Sequence, residues 1–128
     1  MNILKNIFKK KESSLIPIWF MRQAGRYLPE FRNIRSKNPD FIKLCLDSDL
    51  SSKLTLQPIE RYDLDAAIIF SDILMVPFAL NQLVEFKKDF GPVLSDFDNK
   101  VFLHNNFDDF SQKLKPVYTS IYKTKNTL

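Results

Sequence analysis

Arginine is scarce in this chain, five against fourteen lysines, and all five fall between residues 22 and 61. Two of them, Arg22 and Arg26, stand four apart around Gly25. On one helical turn that spacing sets both guanidinium groups on the same side. Two planar forks side by side suit a ligand with several carboxylates or phosphates. Gly25 lets the backbone approach such a ligand, or lets the chain turn sharply. A solvated helix face with surface ion pairs, to Glu30 for instance, explains the same spacing, and both readings stand. Asp72 is the second signal. It lies two residues past the apolar run Ala66-Ala67-Ile68-Ile69-Phe70. Ligands of α/β folds gather beyond the carboxyl ends of the strands. A carboxylate there faces a pocket, where it can accept hydrogen bonds from ligand N–H groups. Asp72 as the N-cap of Ile73-Leu74-Met75 fits the position equally well. Ser71 beside it can donate to Asp72 or cap the next turn.

Other chemistry has little support in the residues. His104 is the only histidine and sits in a polar stretch beside Asn105-Asn106, which argues against a catalytic or metal role. Cys45 is the only cysteine and reads as a small buried hydrophobe on a helix face. It cannot form an internal disulfide, no zinc-type pair exists, and a reducing cytoplasmic setting fits best. There is no P-loop and no dinucleotide glycine pattern. Trp19, Phe20 and Met21 precede the arginines and read as core packing.

The patterning gives the helices, strands and turns that carry Arg22, Arg26 and Asp72. Met1 to Phe8, followed by Lys9-Lys10-Lys11, reads as a short amphipathic helix ending on lysines. Ile16 to Met21 is a short apolar run, extended around Pro17. Arg22 to Glu30 is polar, contains a glycine and stops at Pro29, so it reads as a loop or one helical turn. Leu28, Phe31, Ile34 and Arg35 predict a helix with Pro29 in its first turn, ended by Asn38-Pro39. Asp40 caps a helix bearing Phe41, Leu44 and Cys45. Ser48 or Asp49 caps the next, with Leu50, Leu54, Ile59 and Tyr62 near helical spacing, and Pro58 kinks or splits it. Ala66–Phe70, apolar without alternation, reads as a strand buried on both faces, the kind found in parallel sheets. Leu83–Phe86 and Pro92–Leu94 flank a turn and predict a hairpin. A last helix starts with Pro116 at its first position. The order is that of an opening α/β fold. One buried parallel strand cannot make a sheet, so the chain is expected to be the front part of something longer. The competing expectation is a compact α+β domain whose hairpin pairs with the Ala66 strand.

The 128 residues are 45% hydrophobic, 13% aromatic and 27% charged. Those fractions exclude a disordered tail, a collagen-like repeat and a low-complexity linker. The net charge of +4 is mildly basic and could favour anionic partners without proving any. No apolar run approaches the about 20 residues of a membrane helix. At the N-terminus the charges follow a short apolar stretch, the reverse of a secretory signal, and no arginine suggests a transit peptide.

Pro17-Ile18-Trp19-Phe20-Met21-Arg22-Gln23-Ala24-Gly25-Arg26-Tyr27-Leu28-Pro29-Glu30-Phe31 closely resembles the N-terminal signature of the uroporphyrinogen decarboxylase family of haem biosynthesis. Downstream stretches agree in order. Leu54-Thr55-Leu56-Gln57-Pro58-Ile59 resembles a family helix, and Asp65 to Leu74 resembles its first barrel strand and substrate aspartate. Phe90-Gly91-Pro92-Val93-Leu94 resembles the segment that closes its hairpin. The chain departs from the family at Phe78, where a polar or acidic residue is usual, and at Asn81, where glycine is usual.

The resemblance implies an α/β fold, the N-terminal portion of a (β/α)₈ TIM barrel: N-terminal helices, first barrel strand, hairpin excursion and following helix. Such barrels take about 250 residues or more, so residues 1–128 would be the N-terminal third of one barrel domain, with the C-terminal remainder absent. It implies removal of carboxylate from the four acetate groups of uroporphyrinogen III, giving coproporphyrinogen III, without metal or organic cofactor. Asp72 is then the transition-state stabiliser, accepting from pyrrole N–H groups. Arg22 and Arg26 hold outer carboxylates. Gln23, Ala24 and Gly25 touch substrate, and Phe41 is a weaker candidate for the cleft wall. The implied partners are the tetrapyrrole and, at full length, a second copy in a homodimer, with no nucleic acid and no membrane, in the cytoplasm. Two alternatives are a methyltransferase of the same barrel superfamily, whose zinc ligands come late in the chain, and a truncated, non-catalytic porphyrinogen-binding or interaction protein. The 128 residues alone are expected to be inactive.

Overall fold

A computed structural model describes residues 3–9, 15–20, 25, 27–62, 64–87, 90–96, 98–100 and 106–128. The elements in chain order are α1 (Ile3–Phe8), α2 (Pro29–Lys37), α3 (Phe41–Leu46), α4 (Ser48–Tyr62), α5 (Met75–Ala79), β1 (Val84–Lys87), β2 (Gly91–Leu94) and α6 (Phe107–Thr127).

Local chemistry explains most helix ends. Pro29 opens α2, where its missing N–H and fixed φ do no harm. The Asp40 side chain accepts from Lys43 N–H at 3.0 Å and starts α3 as the spacing predicts. The next cap is neither Ser48 nor Asp49. Asp47 Oδ1 accepts from the N–H groups of Asp49 and Leu50 at 3.0 and 2.9 Å and serves the first turn of α4. Asn106 caps α6 by accepting from Asp109 N–H at 2.8 Å. So α6 begins well before Pro116, which lies inside it. Pro58 likewise lies inside an unbroken α4 and is fully buried. A mid-helix proline costs ~3 kcal/mol, and the packing of both helices offsets it.

That packing forms a seam between α4 and α6. Ser51, Ser52, Thr55, Ser120 and Thr124 are all buried there. Ser51 Oγ meets Ser120 Oγ at 2.9 Å, and Ser52 Oγ meets Thr124 Oγ1 at 3.0 Å. Lys123 Nζ closes one end on Ser48 Oγ and Asp49 Oδ1 at 2.9 and 2.7 Å. Small hydroxyl side chains let the helices approach while satisfying one another. The apolar core lies beside this seam, with Leu28, Phe31, Leu44, Cys45, Leu54, Phe70, Met75, Ala79 and Leu114 in one cluster. Each fully buried leucine stabilises by ~1.5–3 kcal/mol, and Leu28, Leu44 and Leu54 are of that kind.

The hairpin forms with Val84 opposite Leu94 and Lys87 opposite Gly91, antiparallel. It is the only sheet among the described residues. Ala66–Phe70 is therefore not a sheet strand there, and it does not pair with the hairpin in the manner of the compact α+β alternative. Ala66 to Ile69 are half-buried and only Phe70 is buried. A parallel strand is covered on both faces only when neighbouring strands and crossover helices surround it, and the described residues supply no neighbouring strand. Trp19 and Phe20 are not core either, being 49% and 59% exposed. Met21 and His104 lie outside the described residues.

Candidate functional site

Asp72 follows Phe70 at the point where the chain enters α5. Its Oδ1 accepts from Leu74 N–H at 2.9 Å, and its carbonyl accepts from Met75 N–H at 3.1 Å. Asp72 is therefore not the N-cap foreseen for it: the cap of α5 is Leu74, without a side-chain hydrogen bond, and Asp72 instead closes a turn just ahead of the helix. That turn does not exhaust the carboxylate, which has about four acceptor sites. The same side chain lines a cleft of about 710 Å³.

The cleft has three kinds of wall. Phe31, Phe41 and Phe86 form an aromatic surface, with Pro92 of the hairpin beside it. Phe41 lies edge-on to Phe86, centroids 4.9 Å apart, and edge-on to Phe70 at 5.9 Å. Phe31 meets Phe70 in the same manner at 5.9 Å. Phe41, foreseen as a cleft residue, does line it. Arg32, Arg35 and Ser36 of α2 line the same cleft, as do Asp72, Ile73 and Leu74. Arg35 is fixed at two points: its Nη1 donates to the Asn38 carbonyl, and its guanidinium lies 5.7 Å from the Phe41 ring centroid. Such a stacked guanidinium keeps donors free for a ligand.

Cys45 reports the electrostatics beneath this cleft. Burial pushes its thiol up to about 12, the Asp72 charge adds to the rise, and the Arg35 charge opposes it. The thiol is a protonated core atom at neutral pH, as its sequence context suggests.

Arg22, Gln23, Ala24 and Arg26 lie outside the described residues. The flanks of that stretch are described. Ile18 N–H donates to Asp65 Oδ2 at 2.8 Å, and Asp65 N–H donates to the Ile18 carbonyl at 3.1 Å. The N-terminal flank is thereby tied to the segment leading to Asp72. Gly25 is buried and its carbonyl accepts from Leu28 N–H at 3.0 Å, which ties the C-terminal flank to α2. A Cβ on Gly25 would lie 2.2 Å from the Tyr27 ring, so the glycine here admits a close aromatic neighbour. Glu30, the named ion-pair partner for a solvated arginine face, is held by Arg61. Arg61 Nη1 donates to both Glu30 oxygens at 2.8 and 3.0 Å. A backbone hydrogen bond first, then Arg61, holds the Glu30 carboxyl below its ordinary range.

Arg32 and Arg35 are the cleft residues that sequence reasoning missed. Their spacing of three on a helix carried the same signal as Arg22 and Arg26. Arg35 also fits the apolar spacing of α2, and that spacing masks the pair.

Asp72, Arg32 and Arg35 thus line one cleft together with aromatic rings, at the turn after an apolar run. The family profile described as Uroporphyrinogen decarboxylase (URO-D) matches residues 2–128. The chain belongs to the uroporphyrinogen decarboxylase family. Among its relatives, the protein named uroporphyrinogen decarboxylase from Rickettsia felis is 48% identical over 119 residues, 93% of this chain and 34% of its own length. Its namesake in Rickettsia canadensis is also 48% identical over 119 residues, 93% of this chain and 35% of its own. That of Mesorhizobium japonicum is 42% identical over 126 residues, 98% and 37%. The chain spans about a third of the length of these curated relatives.

Proposed function

We propose that residues 1–128 form the N-terminal third of a single (β/α)₈ barrel domain and carry part of the active site of a uroporphyrinogen decarboxylase. The observation that carries this is the cleft itself, which Asp72, Arg32 and Arg35 line together with Phe31, Phe41 and Phe86. Uroporphyrinogen presents pyrrole N–H groups inward and eight carboxylates outward. Asp72 accepts from the N–H groups, and the arginines, Arg22 and Arg26 among them, hold carboxylates. Gln23, Ala24 and Gly25, by the resemblance of their stretch to the family signature, touch substrate.

Each decarboxylation consumes one proton and releases one CO₂ as an acetate arm becomes a methyl group. The pyrrole, protonated at carbon, takes the electron pair left when the C–C bond to the carboxylate breaks. It returns that pair to the arm as the methylene is protonated, and the ring carbon then loses the proton it first took up, so the net uptake is one proton. Positive charge therefore develops on the ring, and a preplaced Asp72 carboxylate stabilises it. A guanidinium is a poor acid at neutral pH, so the arginines act as anchors. The family's homodimer and cytoplasmic setting belong to the same proposal. No helix among the described residues is long and apolar enough to cross a membrane.

Titration of the chain with uroporphyrin, the oxidised and stable counterpart of the substrate, tests the cleft. Saturable binding that falls at least tenfold in Arg35→Ala supports it. Binding that is absent, or indifferent to Arg35, defeats it.

A further inference from the structure

Both backbone groups of Phe70 are held by side chains of α4. Phe70 N–H donates to Thr55 Oγ1 at 2.8 Å, and the Phe70 carbonyl accepts from Ser51 Oγ at 2.6 Å. The hydroxyl protons can be traced. Thr55 spends its own on the Ser51 carbonyl at 2.8 Å, so its lone pair takes the Phe70 N–H. Ser51 spends its proton on the Phe70 carbonyl, so the 2.9 Å contact with Ser120 is a donation from Ser120 to Ser51. The relay runs from α6 through α4 into the chain two residues before Asp72. Thr55, Ser51 and Ser120 are all 1% exposed or less, where such bonds are strong and costly to leave unmade. The Phe70 ring is fixed too, between Phe31 and Phe41 of the cleft wall. The next link is the Asp72 to Leu74 turn that aims the carboxylate.

We propose that Thr55 and Ser51, the latter supported by Ser120, are positioning residues that clamp Phe70 by its backbone and so set the direction in which Asp72 enters the cleft. They do not touch the ligand. The claim that this direction serves tetrapyrrole binding rests on the proposed function; the clamp itself does not.

Thr55→Val keeps the branched shape and removes the hydroxyl, while Thr55→Ser keeps the hydroxyl. Hydrogen exchange by mass spectrometry on the 128-residue chain follows a peptide spanning Leu64–Met75, with peptides from α3 and α6 as controls. In Thr55→Val, exchange in the Leu64–Met75 peptide should quicken about tenfold, including the Leu74 amide, with α3 and α6 unchanged. Uroporphyrin affinity should fall by a similar factor, and Thr55→Ser should restore both. Ser51→Ala breaks the other half of the clamp and should give the same pattern. The proposal is overturned if all regions loosen together, if Leu74 stays protected, or if Thr55→Ser fails to rescue. Wild-type chain that binds no uroporphyrin would remove the functional reading, and the exchange arm would still decide the clamp.

Discussion

Asp72 closes a turn ahead of α5 and also lines the cleft, where the sequence offers either a helix cap or a ligand carboxylate. Its Oδ1 holds the Leu74 N–H, yet the carboxylate faces the cleft. Asparagine keeps the first duty, because its carbonyl oxygen accepts equally well, and loses the second. In an intact barrel carrying these residues, Asp72→Asn should lower kcat far more than it weakens substrate binding, since the charge matters most when the pyrrole becomes cationic. Equal turnover by the variant would reduce Asp72 to a turn residue. Arg22→Lys and Arg26→Lys should each lower kcat/KM there although charge is kept, because a point ammonium cannot replace a bidentate fork; unchanged kcat/KM in both would rule out the carboxylate clamp. Cys45 gives a prediction in pH. Its folded thiol titrates at about 12, against an ordinary 9.0. Between those values the folded chain keeps a proton that the unfolded chain loses, so the contribution is whole below about 9 and disappears as the pH rises towards 12. The stability gap between wild type and Cys45→Ala, read from urea midpoints at low micromolar concentration, should shrink from pH 8 to pH 11. A constant gap would mean that the thiol is not held protonated.

The elements were legible wherever a local signal fixed them. Pro29, Asp40 and the apolar spacing of Phe41, Leu44 and Cys45 gave α2 and α3, and Gly91 with its flanking apolar residues gave the hairpin within one residue. Misses arose where tertiary packing overrode a local rule. Pro58 and Pro116 look like boundaries, but both sit inside helices whose mutual packing outweighs the lost hydrogen bond. The α4–α6 seam was invisible to a search for apolar periodicity because its buried positions are serines and threonines. Arg32 and Arg35 were passed over because a helix pattern explained one of them and nothing drew attention to the other. Ala66–Phe70 was read as a strand from its composition, and strand pairing depends on neighbours that composition does not supply. One departure from the family has a clear physical counterpart: Asn81 has φ +67°, the left-handed region, in which asparagine is among the few tolerated side chains. Lys113 donates to its Oδ1. Asn81→Gly should be nearly neutral, backbone relief offsetting the lost contact. Asn81→Ala should cost ~1–2 kcal/mol, measurable as a lower urea midpoint, and an Ala variant as stable as wild type would contradict the strained backbone.

The whole molecule carries more surface than its mass warrants. A compact monomer of 15.1 kDa exposes ~7,100 Å² by the usual scaling, whereas this chain exposes 9591 Å². Much of what is exposed is apolar: Ile16, Ile18, Trp19 and Phe20 in one segment, Ile73 and Val76 near the cleft, Phe86, Val93 and Leu94 on the hairpin. A two-stranded hairpin is marginal by itself, and a half-buried Ala66–Ile69 run lies beside the Ile18 segment through the Asp65 bonds. In a closed barrel such a run is flanked by strands and covered by helices. Exposed apolar area of this kind drives association at micromolar to millimolar concentration. Sedimentation velocity of the 128-residue chain should therefore show average mass rising with concentration, above that of a monomer, by ~100 µM. If the chain is the first third of a barrel as proposed, mixing with the portion of the Rickettsia felis protein that lies beyond the matched region should suppress that rise and form a defined complex, because the strands and helices of that portion would cover these faces. A single monomeric species throughout would show that the chain buries its own apolar surface. Self-association that the complementary portion leaves untouched would separate the exposed faces from the barrel and overturn the assignment of this chain as its first third.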